Sequence, residues 1–133
     1  MKKTLLLAAA LACSGAVAQE KQVWACQQTE GTMLNWEGGA WRQRTINPSP
    51  ILLTIDGENS SYKEGDYETR LDCSEKDISG AYVTSCLDNL LSEHIYLETA
   101  TGKMGISNLY GAISSSSVSR DSVSARIYNC TKF

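Results

Sequence analysis

From residue 19 onward, apolar and polar side chains alternate in short runs separated by turn-forming residues. Side chains of a strand point to its two faces in turn, so this period-two pattern predicts strands with one buried face. Residues 21–28 carry Val23, Trp24 and Cys26 and read as a first strand. Residues 32–37 and 40–46 flank Gly38 and Gly39, a pair that favours a two-residue type I′ hairpin. In that register Glu37 faces Ala40, and Trp36 faces Trp41 as a close, non-hydrogen-bonded pair. Such cross-strand aromatic pairs stabilise a hairpin by about 0.2–1 kcal/mol. Leu34 shares the face of Trp36.

Asn47, Pro48, Ser49 and Pro50 interrupt the pattern ahead of a buried-strand candidate at 51–56. Asp56 and Gly57 open a polar loop. Residues 67–73 set Tyr67, Thr69 and Leu71 against Glu68, Arg70 and Asp72, again with period two. Further strands are expected at 81–87, 94–99, 103–110 and 123–133, with a turn of helix at 88–93 and a Ser-rich exposed loop at 113–122. With Thr101 and Gly102 as the loop of the 94–110 hairpin, Leu97 faces Ile106 and Thr99 faces Met104. About eight short strands and no long helix predict an all-β domain, a small antiparallel β-barrel or sandwich.

Residues 1–18 have a different character. A positive start at Lys2 and Lys3, an apolar stretch over 4–12 and the small residues Ala16 and Ala18 form the pattern of a cleaved secretory signal peptide of bacterial style. The expected organisation is therefore a signal peptide at 1–18 and one β domain at 19–133, in the periplasm or secreted. Cys13 is a poor lipid-attachment site, because Ala10 rather than Leu stands three residues before it. Cleavage of 18 of the 133 residues leaves 115 and removes Lys2 and Lys3, so that ten cations face fifteen acids.

Four cysteines then remain: Cys26, Cys73, Cys86 and Cys130. An even count in an oxidising compartment predicts two disulfides. Of the three pairings, Cys73–Cys86 with Cys26–Cys130 is favoured. The first staples neighbouring strands, and the second ties the first strand to the last, as in a sheet that closes on itself. No C-x-x-C pair occurs and His94 is the only histidine, so no zinc site and no cofactor is expected.

The net charge of −3 lacks the basic footprint that nucleic acid requires. No apolar run is long enough for a spanning helix. Between residues 56 and 77 eight acids stand against Lys63, Arg70 and Lys76. A patch of one sign steers a basic partner, and it also solubilises a loop. The spacing after Asp56 fails the calcium-loop pattern, with Ser61 at the glycine position and Tyr67 at the closing glutamate position. The chain contains no G-x-S-x-G, H-E-x-x-H or P-loop motif.

These features predict an exported, monomeric, non-enzymatic binding module for a protein partner, with an inhibitor of a basic secreted enzyme such as a lysozyme as the concrete version. Small acidic disulfide-linked periplasmic β-proteins that inhibit lysozymes are similar in gross features, though no motif aligns. The candidate surface comprises Trp24, Trp36 and Trp41 with Asp56, Glu58, Glu64 and Asp66; packing in the core or hairpin is the competing role of the tryptophans. A carrier of a small apolar or sugar ligand inside the barrel is one alternative. A small hydrolase using carboxylates among Glu37, Asp56, Glu58 and Glu64 is another.

Overall fold

A computed structural model describes residues 20–88, 90, 92–109 and 122–133. The expected signal peptide and most of the Ser-rich loop lie outside these residues. Ten strands form: β1 (Gln22–Glu37), β2 (Ala40–Thr45), β3 (Ile51–Ile55), β4 (Ser61–Glu64), β5 (Tyr67–Arg70), β6 (Asp72–Ile78), β7 (Ala81–Asp88), β8 (Glu93–Glu98), β9 (Lys103–Asn108) and β10 (Ser122–Lys132). Nine of them follow one antiparallel path, β5-β4-β3-β1-β10-β9-β8-β7-β6, and β2 pairs with β1 off that path. The two ends of the path, β5 and β6, are consecutive in the chain and joined at Leu71. The result is a nearly closed barrel in which a covalent link stands where the last ladder would be. Among the described residues no helix is long and apolar enough to cross a membrane.

β1 is one strand of 16 residues, where two were expected. Its first half pairs with β3 and its second half with β2, while β10 runs along the opposite edge throughout. The register against β10 shifts between Gln28 and Glu30. A bulge of this kind bends and twists a strand without ending it. Past the bulge β1 stays paired with β10 and forms a hairpin with β2 on its other edge. Gly38 and Gly39 take φ of 60° and 83°, as a type I′ turn requires, and Trp36 faces Trp41 as expected.

Two other expectations need correction. The polar stretch after Asp56 is ordered: Gly57–Asn59 is a 3-10 turn, and β4 and β5 form a hairpin across Gly65 (φ 59°). Ser60 organises the preceding corner. Its hydroxyl donates to the Gly57 carbonyl and accepts from the Asp56 amide, and its own carbonyl accepts from Leu71 N–H. Asp88 ends β7 and Glu93 begins β8 as a facing pair, and residues 89 and 91 of the helical turn expected at 88–93 lie outside the described residues. In the β8–β9 hairpin Leu97 faces Met104 and Ile95 faces Ile106. The loop is therefore two residues longer than expected, and a two-residue slip leaves every side chain on its face. The amide of Gly102 reaches back to the Glu98 carbonyl. A Cβ on Gly102 would meet the Cys130 carbonyl at 2.2 Å, so this turn closes against the last strand.

The inward phase of the strands fills the barrel with Trp24, Leu53, Ile55, Tyr62, Ile95, Leu97, Ile106 and Tyr128. Both favoured disulfides are present. Cys26–Cys130 joins facing residues of β1 and β10, and Cys73–Cys86 joins facing residues of β6 and β7; each has its Cα atoms 4.0 Å apart. The first crosses the seam between the first and last strands, and the second lies beside the β5–β6 break. Their sequence separations are 104 and 13 residues. On chain-entropy grounds the long bridge contributes about 5 kcal/mol and the short one about 3 kcal/mol. Denaturant melts of the two paired Cys→Ala variants are expected to show the larger loss without Cys26–Cys130. Equal losses would mean that the unfolded chain, once reduced, keeps structure that brings residues 26 and 130 together.

Candidate functional site

The inward phase also carries polar side chains. In β10, Arg126 precedes Tyr128 on the inner face and is 8% exposed. A guanidinium held there needs anionic partners. It donates through Nη1 to Glu64 Oε2 and through Nη2 to Glu93 Oε1, both at 2.9 Å. Tyr62, from β4, donates its hydroxyl to the other Glu93 oxygen at 2.5 Å. Three strands, β4, β8 and β10, thus contribute to one network. Burial works against the Arg126 charge, but the facing Tyr128, the hydrogen bond to Glu64 and the two carboxylates outweigh it and raise its pKa. Burial and then the bond to Glu93 hold the Tyr62 hydroxyl far above its ordinary range. Burial also lifts Tyr128 to about 12, against the opposing charge of Arg126.

Above this network lies an open cleft of about 380 Å³ lined by Met33, Ile46, Tyr67 and Ser124. A larger cleft, about 640 Å³, opens at the β5–β6 break. Glu58 of the 3-10 turn, Arg70 and Asp72 beside the break, and Asp88 at the end of β7 line it, with Leu71 and Leu90 as apolar walls. Asp88 is fully buried. Its Oδ1 accepts from the Leu90 amide at 2.8 Å. Its Oδ2 has no hydrogen-bond partner among the described residues, and neither has the buried Thr69 hydroxyl on the same cleft.

The sequence candidates do not gather in one place. Trp24 is 4% exposed and belongs to the core, so it leaves the candidate surface. Trp36 and Trp41 are 42% and 40% exposed and meet edge-to-face with centroids 5.4 Å apart. With Leu34 they form an apolar patch on the outer face of the hairpin. Asp56 is half-buried at the Ser60 corner, and Asp66 is exposed in the β4–β5 turn. Glu64 belongs to the Arg126 network and Glu58 to the cleft at the break. Glu37 pairs with Arg44 at 2.6 Å on the hairpin. Of the four carboxylates of the hydrolase alternative, Glu37 and Glu64 are thus held in ion pairs in different places, while Asp56 and Glu58 lie two residues apart at the 3-10 turn. Among the described residues no group of three or more His, Cys, Asp or Glu is placed to hold a metal.

Sequence reading missed Arg126, Glu93, Thr69 and Asp88. The signal was present in the phase of the strands. Arg126 lies between Ser124 and Tyr128 in an alternation that ends at the half-cystine Cys130, and Asp88 continues Thr84 and Cys86. A charged residue in the inward phase marks a buried polar site, though its partners come from distant strands. Comparison with protein-family models, curated proteins and solved structures gives no match.

Two outcomes test the network. Arg126→Met strands two carboxylates and is expected to cost about 3–5 kcal/mol in denaturant melts, part of it recovered by adding Glu64→Gln and Glu93→Gln. An uncharged variant as stable as the native protein would show that the ion pairs stabilise the fold no more than neutral side chains of similar shape. The second outcome concerns alkali. Unfolded tyrosine titrates near 10, whereas folded Tyr128 titrates at about 12. The folded state holds this proton more tightly, so its stabilisation is full below about pH 10 and is lost as pH rises through about 12. Tyr128→Phe is expected to flatten that fall in a pH series of urea midpoints.

Proposed function

We propose that the domain is an exported, non-enzymatic recognition module for a basic protein partner, with the cleft at the β5–β6 break as its centre. The observation that carries this reading is the convergence of Glu58, Asp72 and Asp88, from three separate elements, on one cleft where Arg70 is the only cation among the described lining residues. Acids that are scattered in sequence produce a focused negative potential when low-dielectric walls bring them together. The other acids of residues 56–77 extend that field and speed the encounter with a cationic surface. The hairpin patch of Leu34, Trp36 and Trp41 supplies a second, apolar contact of the kind that anchors interfaces.

A filled barrel supports recognition at the surface over carriage of a ligand inside, since Tyr62, Tyr128 and Leu53 occupy the interior. The ion pairs of Glu37 with Arg44 and of Glu64 with Arg126, which occupy two of the four candidate carboxylates, support binding over hydrolysis by a carboxylate pair. Two disulfides suit an oxidising compartment, in keeping with export by the N-terminal signal. A basic enzyme met outside the cytoplasm, lysozyme in the first instance, is the partner to test.

Affinity for the basic enzyme is expected to fall steeply as salt rises. Neutralising Glu58→Gln and Asp72→Asn together is expected to weaken binding about two- to tenfold at low salt. Surface plasmon resonance at several ionic strengths reads both. A salt-independent affinity, or one unchanged in the double variant, would overturn the acidic cleft as the contact.

A further inference from the structure

We infer that the cleft at the β5–β6 break is a pocket for one basic side chain of the partner, a lysine or arginine whose cationic head meets Asp88 Oδ2 and the Thr69 hydroxyl. This inference rests on the reading of a basic partner and specifies how it is held. Its foundation is the pair of atoms that folding leaves unpaired. Asp88 is fully buried and Thr69 is 4% exposed, yet Asp88 Oδ2 and Thr69 Oγ1 have no hydrogen-bond partner among the described residues. Leaving a buried acceptor unmade costs about 1–3 kcal/mol, and more for a charged one. Both atoms belong to side chains that line the same cleft. A donor seated in that cleft is the partner that Asp88 Oδ2 lacks, and the Thr69 hydroxyl lies in the wall of the same cleft.

The chemistry of the donor follows from the walls. An ionised carboxylate accepts and cannot donate, while a hydroxyl does either. Glu58 and Asp72 at the sides favour a positive head, and Arg70 is the one opposing charge. Leu71 and Leu90 offer apolar surface to a methylene stem. Lysine and arginine combine these properties, with a flexible apolar stem that ends in a donor-rich cation. An anionic group would meet three carboxylates, and a neutral apolar group would leave Asp88 Oδ2 unpaired.

The break in the barrel explains why the pocket exists. Elsewhere along the path each strand has a neighbour on both sides, but β5 and β6 hand over at Leu71 without pairing to each other. The Asp88 side chain, in the inward phase of β7, therefore lies in the wall of a cleft at the gap instead of behind a ladder. Cys73–Cys86, beside it, holds the β6–β7 side of the gap in place.

The probe is Nα-acetyl-L-arginine amide, with the neutral isostere Nα-acetyl-L-citrulline amide as control, titrated into the full domain and followed by amide chemical shifts. Saturable shifts are expected at Thr69, Leu71, Asp88 and Leu90 with the arginine compound and not with citrulline. Asp88→Asn and Thr69→Val are each expected to weaken binding by about tenfold, the value of one hydrogen bond to a charged group. If Asp88→Asn does not fold, Thr69→Val still tests the pocket. The inference is overturned by the absence of saturable shifts in the native protein, by equal binding of citrulline, or by unchanged affinity in the variants that fold. Salt-dependent binding of a basic enzyme with no response to the arginine compound would sink the pocket and leave partner recognition standing. The converse result would sink the partner and leave the pocket.

Discussion

The pairing of β1 with β10 is the constraint on which the architecture depends. An antiparallel meander left open ends in two unpaired strands, each a template for aggregation. Here the first and last strands of the domain become neighbours, and Cys26–Cys130 fastens them at facing positions. Closing that seam moves the discontinuity to the middle of the sequence, at Leu71, where the chain itself bridges the gap. The bulge after Gln28 follows from the same demand. β1 must stay paired with β10 on one edge while exchanging β3 for β2 on the other, and the bulge lies between the two halves, where a bend and added twist fit that exchange.

Closure also brings charged residues into the interior. Glu64, Glu93 and Arg126 come from β4, β8 and β10, and they meet only because the sheet curls round on itself. A buried ion pair seldom stabilises more than a well-packed apolar core of the same shape. What it does is penalise any other register. A slip by one residue in β10 would turn Arg126 outward and leave the carboxylate of Glu93 and the hydroxyl of Tyr62 facing each other in the core without it. The network therefore reinforces the register that the disulfide marks at the far end of the same strand.

The acidic segment gains its meaning from the same geometry. Read linearly, residues 56–77 look like a solvated loop. In the fold they supply the 3-10 turn, a hairpin and both strands at the break. Most of their acids face water, but Glu58 and Asp72 are brought to one cleft with Asp88, which lies outside the segment. The Trp hairpin is a separate feature. The two surfaces differ in kind, one a charged cleft and the other an exposed apolar patch, and the proposed recognition of a partner would use the first for steering and the second for burial.

Much of the fold was determined locally. Period-two alternation fixed which residues face inward, Gly38 and Gly39 set the register of the Trp hairpin through their left-handed turn, and the positions of the four cysteines in their strands favoured the pairing that closes the barrel. These features depend on backbone sterics and on side chains close in sequence. Tertiary structure alone decided the rest. The β8–β9 hairpin could slip by two residues without changing a face, so only the contact of Gly102 with Cys130 selects its loop. Trp24 and Trp36 are alike in composition, yet one is sealed under neighbouring strands and the other stands on a hairpin outside them. Arg126 and Asp88 both occupy inward positions. One meets two carboxylates from distant strands and the other meets a gap, because partners separated by tens of residues are assigned by closure of the sheet and not by any pattern within a strand.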